Sequence, residues 1–537
     1  MQMLRWPLSQ WLPGGDYENF ESLPKGFHFA LPVIGALILG LIYHRIKPRF
    51  RPTGIAHVIG ELHQGHSSKL PIGNAIVQFF GAIISLFFGF SGGREGPAVH
   101  LGASGSSYFG QKLRLPDNSL RVMASCGTAA AIAASFNTPI AGVIFAMEVV
   151  MMEYTVTGFI PVILAAVSAT VLTRIWHGDE IALANIDVAL GSLHEMPYIA
   201  LTGLAIGVLS ACFVYIQREC LKLGSWAIWR RFLLGGVVTG TIALLSPEIM
   251  GLGFDTFAKV FAGEFNLQIL LILLVSKLLA TSIAHGLGVP IGIIGPSLII
   301  GALSGAAMGQ ISVFFPIGGS AEPSFYALLG MAAMMAALMN APLAALLAIL
   351  ELTNNPQIIF PAMLAIIVAH LTHKEFFKLR SSPQTTLDSM HLWLRTDPIT
   401  QSLLRTSALA VMESNVATLP IKTNKEELNA VFTADKKWLL LETEAQTQKL
   451  LNHAELEALL SGLEEGQKLD LSASLAEKPE LAELDILSTL REALDLMNES
   501  KQDAILVTGF LSDNPAPEIG ILSRAAIEKH YNNPIIY

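Results

Sequence analysis

Two stretches of this chain repeat one another at nearly fixed distance, and that repetition limits what it can fold into. Gly93-Arg94-Glu95-Gly96-Pro97 shares its Gly-x-x-Gly-Pro frame with Gly292-Ile293-Ile294-Gly295-Pro296, 199 residues on. At the same offset Gly102 meets Gly301, Ala103 meets Ala302, Gly110 meets Gly309 and Gln111 meets Gln310. A second block follows at an offset of 203: Ala133-Ala134-Ser135-Phe136-Asn137-Thr138-Pro139-Ile140-Ala141 parallels Ala336-Ala337-Leu338-Met339-Asn340-Ala341-Pro342-Leu343-Ala344, and Glu148 falls on Glu351. Apolar low-complexity sequence supplies Ala and Gly matches by chance. It does not readily supply Pro, Asn, Gln and Glu in order. The unit is duplicated, and helices broken at matching places in two halves point to a transporter's midplane site.

The first copy of the frame carries charge. Upstream lies Leu70–Phe90, nearly all apolar and long enough to cross a bilayer. Downstream, Pro97 suits the first turn of a helix, where its missing N–H costs nothing. The glycines of Ser91-Gly92-Gly93-Arg94-Glu95-Gly96-Pro97 let backbone approach a ligand and leave N–H groups exposed. A helix N-terminus of this kind attracts an anion. Glu95 then sits as a tethered anion where a free one would bind. The competing reading is a glycine-rich surface turn with Arg94 and Glu95 solvated. The flanking apolar runs weigh against it, because an ionisable residue at membrane depth is costly and functional by default.

Composition agrees. The chain is 52% hydrophobic and only 14% charged, about half the charge of an ordinary soluble protein. Apolar runs at Phe27–Ile46, Leu70–Phe90, Phe159–Trp176, Tyr198–Ile216, Phe232–Leu245, Leu267–Ile283 and Ile358–Leu371 end near Phe376. Several approach the twenty residues of a span; others are short and glycine-interrupted. Cys126, Cys212 and Cys220 give no disulfide framework. Residues 1–384 carry 21 Lys and Arg against 19 Asp and Glu, whereas residues 385–537 carry 13 against 24. An acidic soluble domain therefore follows a near-neutral membrane domain, with nothing basic enough for nucleic acid.

The Ser91–Pro97 segment resembles the gating segment of the CLC chloride channels and chloride/proton antiporters. Gly127–Gly142 is similar to the family's helix after the gate, Gly288–Pro296 to its second anion-binding loop, and Pro52-Thr53-Gly54-Ile55-Ala56 to its first. The likeness covers about Phe27 to Arg380. It implies an all-α polytopic membrane protein with an internal inverted repeat over residues 27–380, preceded by a short segment, 1–26, that cannot supply the family's first membrane helix. Residues 385–537 resemble a CBS-domain pair, a small cytoplasmic α/β module. There Leu487–Leu490, a helix at Arg491–Asn498, a strand at Ala504–Val507 and Ile519–Arg524 echo Val411–Pro420, a helix near Lys425–Phe432 and a strand at Trp438–Leu441.

The resemblance also implies roles. Thr53 and Gly54 in the first loop, Arg94 and Gly96 beside the gate, and Ile293 and Ile294 in the second loop surround the anion. Glu95 gates and carries the proton on one side, and Glu180 carries it on the other, with Asp179 as the alternative match. Three features depart from the pattern. Ala56 replaces a proline, a central-pore tyrosine expected near Arg380–Thr386 is missing, and the N-terminus is short. In nucleotide-binding CBS pairs an acid follows Ser/Thr by three residues; Ser523 is followed by Ala526, so adenine nucleotide is not expected.

The expectation is chloride/proton antiport by a multi-pass protein of the cell inner membrane. It is a homodimer in lipid with a cytoplasmic C-terminal domain, without cofactor or metal. An uncoupled voltage- or pH-gated chloride channel is the alternative, and a membrane-anchored CBS sensor is a further one. No metal spacing, nucleophile elbow or phosphate loop suggests an enzyme.

Overall fold

The computed structural model describes residues 20–52, 54–63, 69–178, 190–315, 322–390, 392, 398–420, 422–424, 438–442, 448–452, 468–470, 480–510 and 518–532. They fall into two compact units. The first gathers the described parts of Met1–Leu62, Leu70–Phe109 and Arg121–Trp393, and the second those of His63–Lys69, Gly110–Leu120 and Leu394–Tyr537.

The first unit is helical. In order come α1 (Lys25–Arg45), α2 (Gly54–His63), α3 (Ile72–Phe87), α4 (Glu95–Lys112), α5 (Asp117–Phe136), α6 (Pro139–Phe145), α7 (Val156–His177), α8 (Met196–Leu221), α9 (Ile228–Ala243), α10 (Phe254–Phe261), α11 (Leu267–Gly286), α12 (Ile294–Ser312), α13 (Pro323–Met339), α14 (Pro342–Thr353), α15 (Ile359–Leu371) and α16 (Ser382–Ser389). Seven described helical stretches are long and apolar enough to cross a membrane. The apolar runs read from the sequence land on helices with ends shifted by a few residues. Two of the seven, α5 and α12, were not among those runs, because Ala, Gly and Ser dilute their hydropathy. Helix α13 is buried along nearly its whole length and packs against α12, as a helix apolar all round must. Small residues bring backbones together. Gly236 of α9 lies against Pro32 O of α1, and Gly40 of α1 against the backbone of Trp229. Helix α7 instead turns Ile160, Leu164, Leu172 and Ile175 outward, a face suited to lipid.

The duplication has a matching geometry. Asn137 and Asn340 both take left-handed backbone, φ 58° in each, and end α5 and α13. Thr138 (φ −123°, ψ 82°) and Ala341 (φ −134°, ψ 63°) follow in similar conformations, and Pro139 and Pro342 open α6 and α14. Glu148 accepts hydrogen bonds from Leu343 N (3.2 Å) and Ala344 N (2.8 Å). Its counterpart Glu351 accepts from Ile140 N (2.9 Å) and Ala141 N (2.8 Å). Each repeat's glutamate caps the broken helix of the other. Such reciprocity is the mark of a two-fold relation, and the fold is the expected all-α membrane domain built on an inverted repeat.

The second unit holds α17 (Pro398–Arg405), α18 (Ala408–Val411), β1 (Val416–Pro420), β2 (Lys422–Asn424), β3 (Trp438–Glu442), β4 (Gln448–Asn452), β5 (Lys468–Asp470), β6 (Glu483–Asp485), α19 (Leu490–Ser500), β7 (Ala504–Gly509), β8 (Glu518–Ser523) and α20 (Arg524–Asn532). Strand β3 pairs in parallel with β1 and antiparallel with β4; β7 pairs in parallel with β6 and antiparallel with β8. Both halves thus share one strand order, and the bridges Ser407↔Thr489 and Glu413↔Ile521 link them. Leu490, Ala493 and Met497 of α19 pack on Ile505, Val507 and Leu522. The expected helix near Lys425–Phe432 lies outside the described residues. The connector Gly110–Leu120 joins this unit, with Asp117 N donating to Leu487 O at 2.9 Å.

Candidate functional site: a glutamate between two helix N-termini

The two Gly-x-x-Gly-Pro frames meet. Gly93 N donates to Gly292 O and Gly292 N to Gly93 O, 2.8 Å each way, immediately before α4 and α12 begin. Two helix N-termini, with N–H groups outside their own ladders, converge on one spot. Only glycine fits there. A Cβ on Gly292 would stand 2.8 Å from Gly93 O, and one on Gly93 would collide with Glu95 Oε2.

Glu95 fills the spot. It is 1% exposed, and its Oε2 accepts from Gly295 N at 3.2 Å, the first turn of the other repeat's helix. The N–H groups of Glu95 and Arg94 also face the carboxyl. This side chain occupies the place that the sequence assigned to an anion. The Arg94 guanidinium lies over the Phe254 ring at 5.5 Å and toward Ser135 O at 3.5 Å, while its backbone N–H faces the carboxyl. Gly96 packs tightly on Gly292, and Ile293 and Ile294 are buried at the start of α12. Gly54 opens α2 at φ 83°. Thr53, Asp179 and Glu180 lie outside the described residues.

Cavities approach from two directions. One, about 360 Å³, is lined by Glu95, Gly295 and the rings of Phe136, Phe254, Phe257 and Phe261. Another, about 550 Å³, is lined by Gly54 together with His44, His285 and two arginines, Arg51 and Arg231, whose positive charges favour an anion there. Thr386 lines it too. Where the resemblance places a tyrosine, Thr385 and Thr386 are buried instead. Gln217 Nε2 donates to Thr386 Oγ1 (2.9 Å), and Ser382 Oγ donates to Gln217 Oε1 (2.6 Å).

Three polar residues escaped the sequence reading. Lys277, 1% exposed in α11, donates from Nζ to Ile249 O at 2.9 Å, and its neighbour Thr281 bonds Ser91 at the edge of the gate segment. A single lysine inside the run Leu267–Ile283 was the available signal. Asn74 and Gln78 are fully buried on α3 and touch the first loop. One Asn and one Gln four apart in an apolar run carry no recognisable spacing. No cluster of three metal-ligating side chains occurs among the described residues.

Comparison with known proteins agrees with this geometry. The family model "Voltage gated chloride channel" matches residues 35–374. The H(+)/Cl(−) exchange transporter ClcA of Vibrio cholerae (O395) is 30% identical over 362 residues, covering 64% of this chain and 76% of that protein. A slow cyanobacterial Cl−/H+ antiporter shares the fold at a TM-score of 0.62 and 22% identity, over 73% of this chain and 91% of its own. A eukaryotic CLC transporter does so at 0.61 and 18%, over 98% and 92%. With its duplicated glycine frames paired around Glu95 and the family model spanning most of its helical unit, the chain belongs to the voltage gated chloride channel family, the CLC proteins.

Proposed function

We propose that this membrane protein exchanges chloride for protons, with Glu95 as gate and proton carrier. The observation that carries the reading is the Glu95 carboxyl held between the N-termini of α4 and α12. A carboxylate there competes with chloride for the same N–H groups. A neutral carboxyl competes poorly, so protonation releases the gate and lets the anion in. Backbone dipoles bind chloride without trapping it as a fixed cation would. Thr53, Gly54, Gly96, Ile293, Ile294 and the Arg94 backbone complete the anion path, and Glu180, or Asp179 beside it, relays protons toward the cytoplasm. Similarity to a named H(+)/Cl(−) exchanger supports coupling.

A second reading, an uncoupled channel, is favoured by one observation: small Thr385 and Thr386 stand where the resemblance places a bulky tyrosine, and Thr386 lines the cavity of about 550 Å³. Chloride efflux from proteoliposomes with simultaneous pH recording decides. Proton movement driven by a chloride gradient supports exchange; chloride flux without it makes the protein a channel.

The same proposal covers assembly. The protein is a homodimer of the cell inner membrane with one pore per chain, and residues 385–537 form a cytoplasmic CBS-like pair. Ser523 Oγ accepts from Ala526 N at 3.2 Å, so the hydroxyl that would hold a ribose caps a helix instead. The pair assembles or stabilises without nucleotide. Saturable ATP or AMP binding in isothermal titration overturns this.

A further inference from the structure

We infer that the ends of α8 and α15 form a binding site for the headgroup of an anionic phospholipid. Binding there depends on the membrane fold and not on transport. Both helices belong to stretches long and apolar enough to span a bilayer, Leu193–Ser225 and Pro356–Phe376, and they pack against each other. Where the two stretches end lies a cavity of about 650 Å³. Arg218 and Lys222 line it from α8, and Lys378 and Arg380 line it from the segment after α15. Asp388 lines it too and accepts from Arg380 at 2.8 Å, while Glu219, which does not line it, accepts from Lys222 at 2.6 Å. Four cations thus stand against two carboxylates, and the site keeps a surplus of positive charge.

The face of α8 that leads to the cavity argues for a lipid over a free anion. Leu201, Leu204, Val208, Cys212 and Tyr215 are exposed at spacings of three or four, which makes one stripe along the helix. Arg218 and Lys222 continue that spacing and are exposed as well. They therefore belong both to the outward face of α8 and to the cavity lining. An apolar stripe ending in two cations matches an acyl chain ending in a phosphate, the arrangement by which basic pockets between membrane helices hold anionic lipids. Exposed aromatic rings flank the site, as they do at a membrane–water boundary. Trp226 follows α8, and Phe376 and Phe377 precede Lys378. A cavity of this size admits a whole headgroup, whereas a chloride ion fills only a small part of it.

The test uses the full-length chain in detergent at fixed chloride, read by its thermal midpoint. Short-chain phosphatidylglycerol, short-chain phosphatidylcholine and inorganic phosphate are titrated separately. The expected result is a saturable rise with phosphatidylglycerol at concentrations where the other two give none. In the double variant Arg218→Gln with Lys378→Gln, the phosphatidylglycerol needed for half the rise increases roughly tenfold or more, because two cations near the phosphate are gone. Without lipid its midpoint stays near that of the unsubstituted protein. Lys112→Gln with Arg114→Gln removes two exposed cations elsewhere and leaves the titration unchanged. An equal rise with phosphatidylcholine overturns the site, and so does an unchanged titration in the Arg218 and Lys378 variant. An equal loss in the Lys112 and Arg114 variant overturns it too, since general surface charge then accounts for the effect. A full rise with inorganic phosphate overturns the lipid and leaves a free-phosphate site. If the double variant does not fold, Lys222→Gln decides by the same criterion, with an expected increase of roughly fivefold.

Discussion

Gly93 and Gly292 exchange both of their backbone hydrogen bonds, so the two halves of the chain are joined at the two residues that precede their half-helices. The pairing ties the start of α4 to the start of α12. It is why Glu95, on one repeat, reaches Gly295 N on the other. The gate residue is thus held by a helix end that the duplication supplied. A change on either side of the bridge acts on the same carboxyl.

The caps across the two-fold should be energetically similar. Glu148 and Glu351 each accept two backbone N–H bonds from the opposite repeat. Truncating either to Ala strands two donors at a helix N-terminus, and hydrogen bonds to charged groups are worth about 1.5–3 kcal/mol each. Glu148→Ala and Glu351→Ala are each expected to lower the thermal midpoint in detergent markedly, and by comparable amounts. A large fall in one with none in the other would contradict equivalent roles.

Helix crossings repeat as well. Gly102 abuts Gly127 O, and Gly301 abuts Gly330 O, so closely that a Cβ would collide with the carbonyl. Gly102→Ala and Gly301→Ala should each cost about 1–3 kcal/mol through overpacking. Gly105, in the same helix as Gly102, has nothing within 4 Å of its Cβ position. Gly105→Ala should be neutral or gain about 0.5–1 kcal/mol from helix propensity. Thermal melts of the three variants check the contrast, and equal destabilisation at Gly105 would sink the argument from close approach.

These pairs show what was legible in the sequence. Gly102 and Gly301, Asn137 and Asn340, and Glu148 and Glu351 stood out because the fold uses each twice, so chance matching could be set aside. Glu95 stood out because charge inside apolar sequence needs a reason. Gln78 and Lys277 fall on one another at the offset of 199 but differ in residue type, so no match marked them, and their meaning comes from what they touch across the fold: Gly54 in one case, Ile249 in the other. The left-handed turns at Asn137 and Asn340 explain why Asn, a residue that tolerates positive φ, sits before the broken helices. The spans α5 and α12 were missed since Gly and Ala, needed for close crossings, lower the hydropathy that marks a membrane helix.

Stability of the second unit should depend on pH. Burial, and then the negative charge of Asp117, push the Glu492 carboxyl up to about 7, against hydrogen bonds from Thr489 and the charge of Lys69. The ordinary value is 4.5. Between the two, folded Glu492 holds a proton that the unfolded chain has released, so stability declines as pH rises through that window. The thermal midpoint of the tail transition in the full-length protein should fall as pH rises from about 5 to about 8, across most of the interval between those two values. Glu492→Gln should flatten that slope. A slope unchanged by the substitution would point to another group.

The gate itself offers the sharpest test. Glu95→Gln keeps the side chain's size and removes its charge and its proton. It should retain chloride movement and lose coupled proton movement. Gly295→Ala reaches the same carboxyl from the other repeat, because the added Cβ would stand 3.1 Å from both Glu95 oxygens. The carboxylate must then shift, weakening its bond to Gly295 N. The expected result is faster chloride efflux at neutral pH than in the unsubstituted protein, with fewer protons moved per chloride. In the double variant Gly295→Ala should add little to Glu95→Gln, since both act by emptying one site. Full proton coupling in Glu95→Gln, measured as protons per chloride in proteoliposomes, would falsify the assignment of Glu95 as the proton carrier. Additive effects in the double variant would show that Gly295 acts on the anion path independently of the gate.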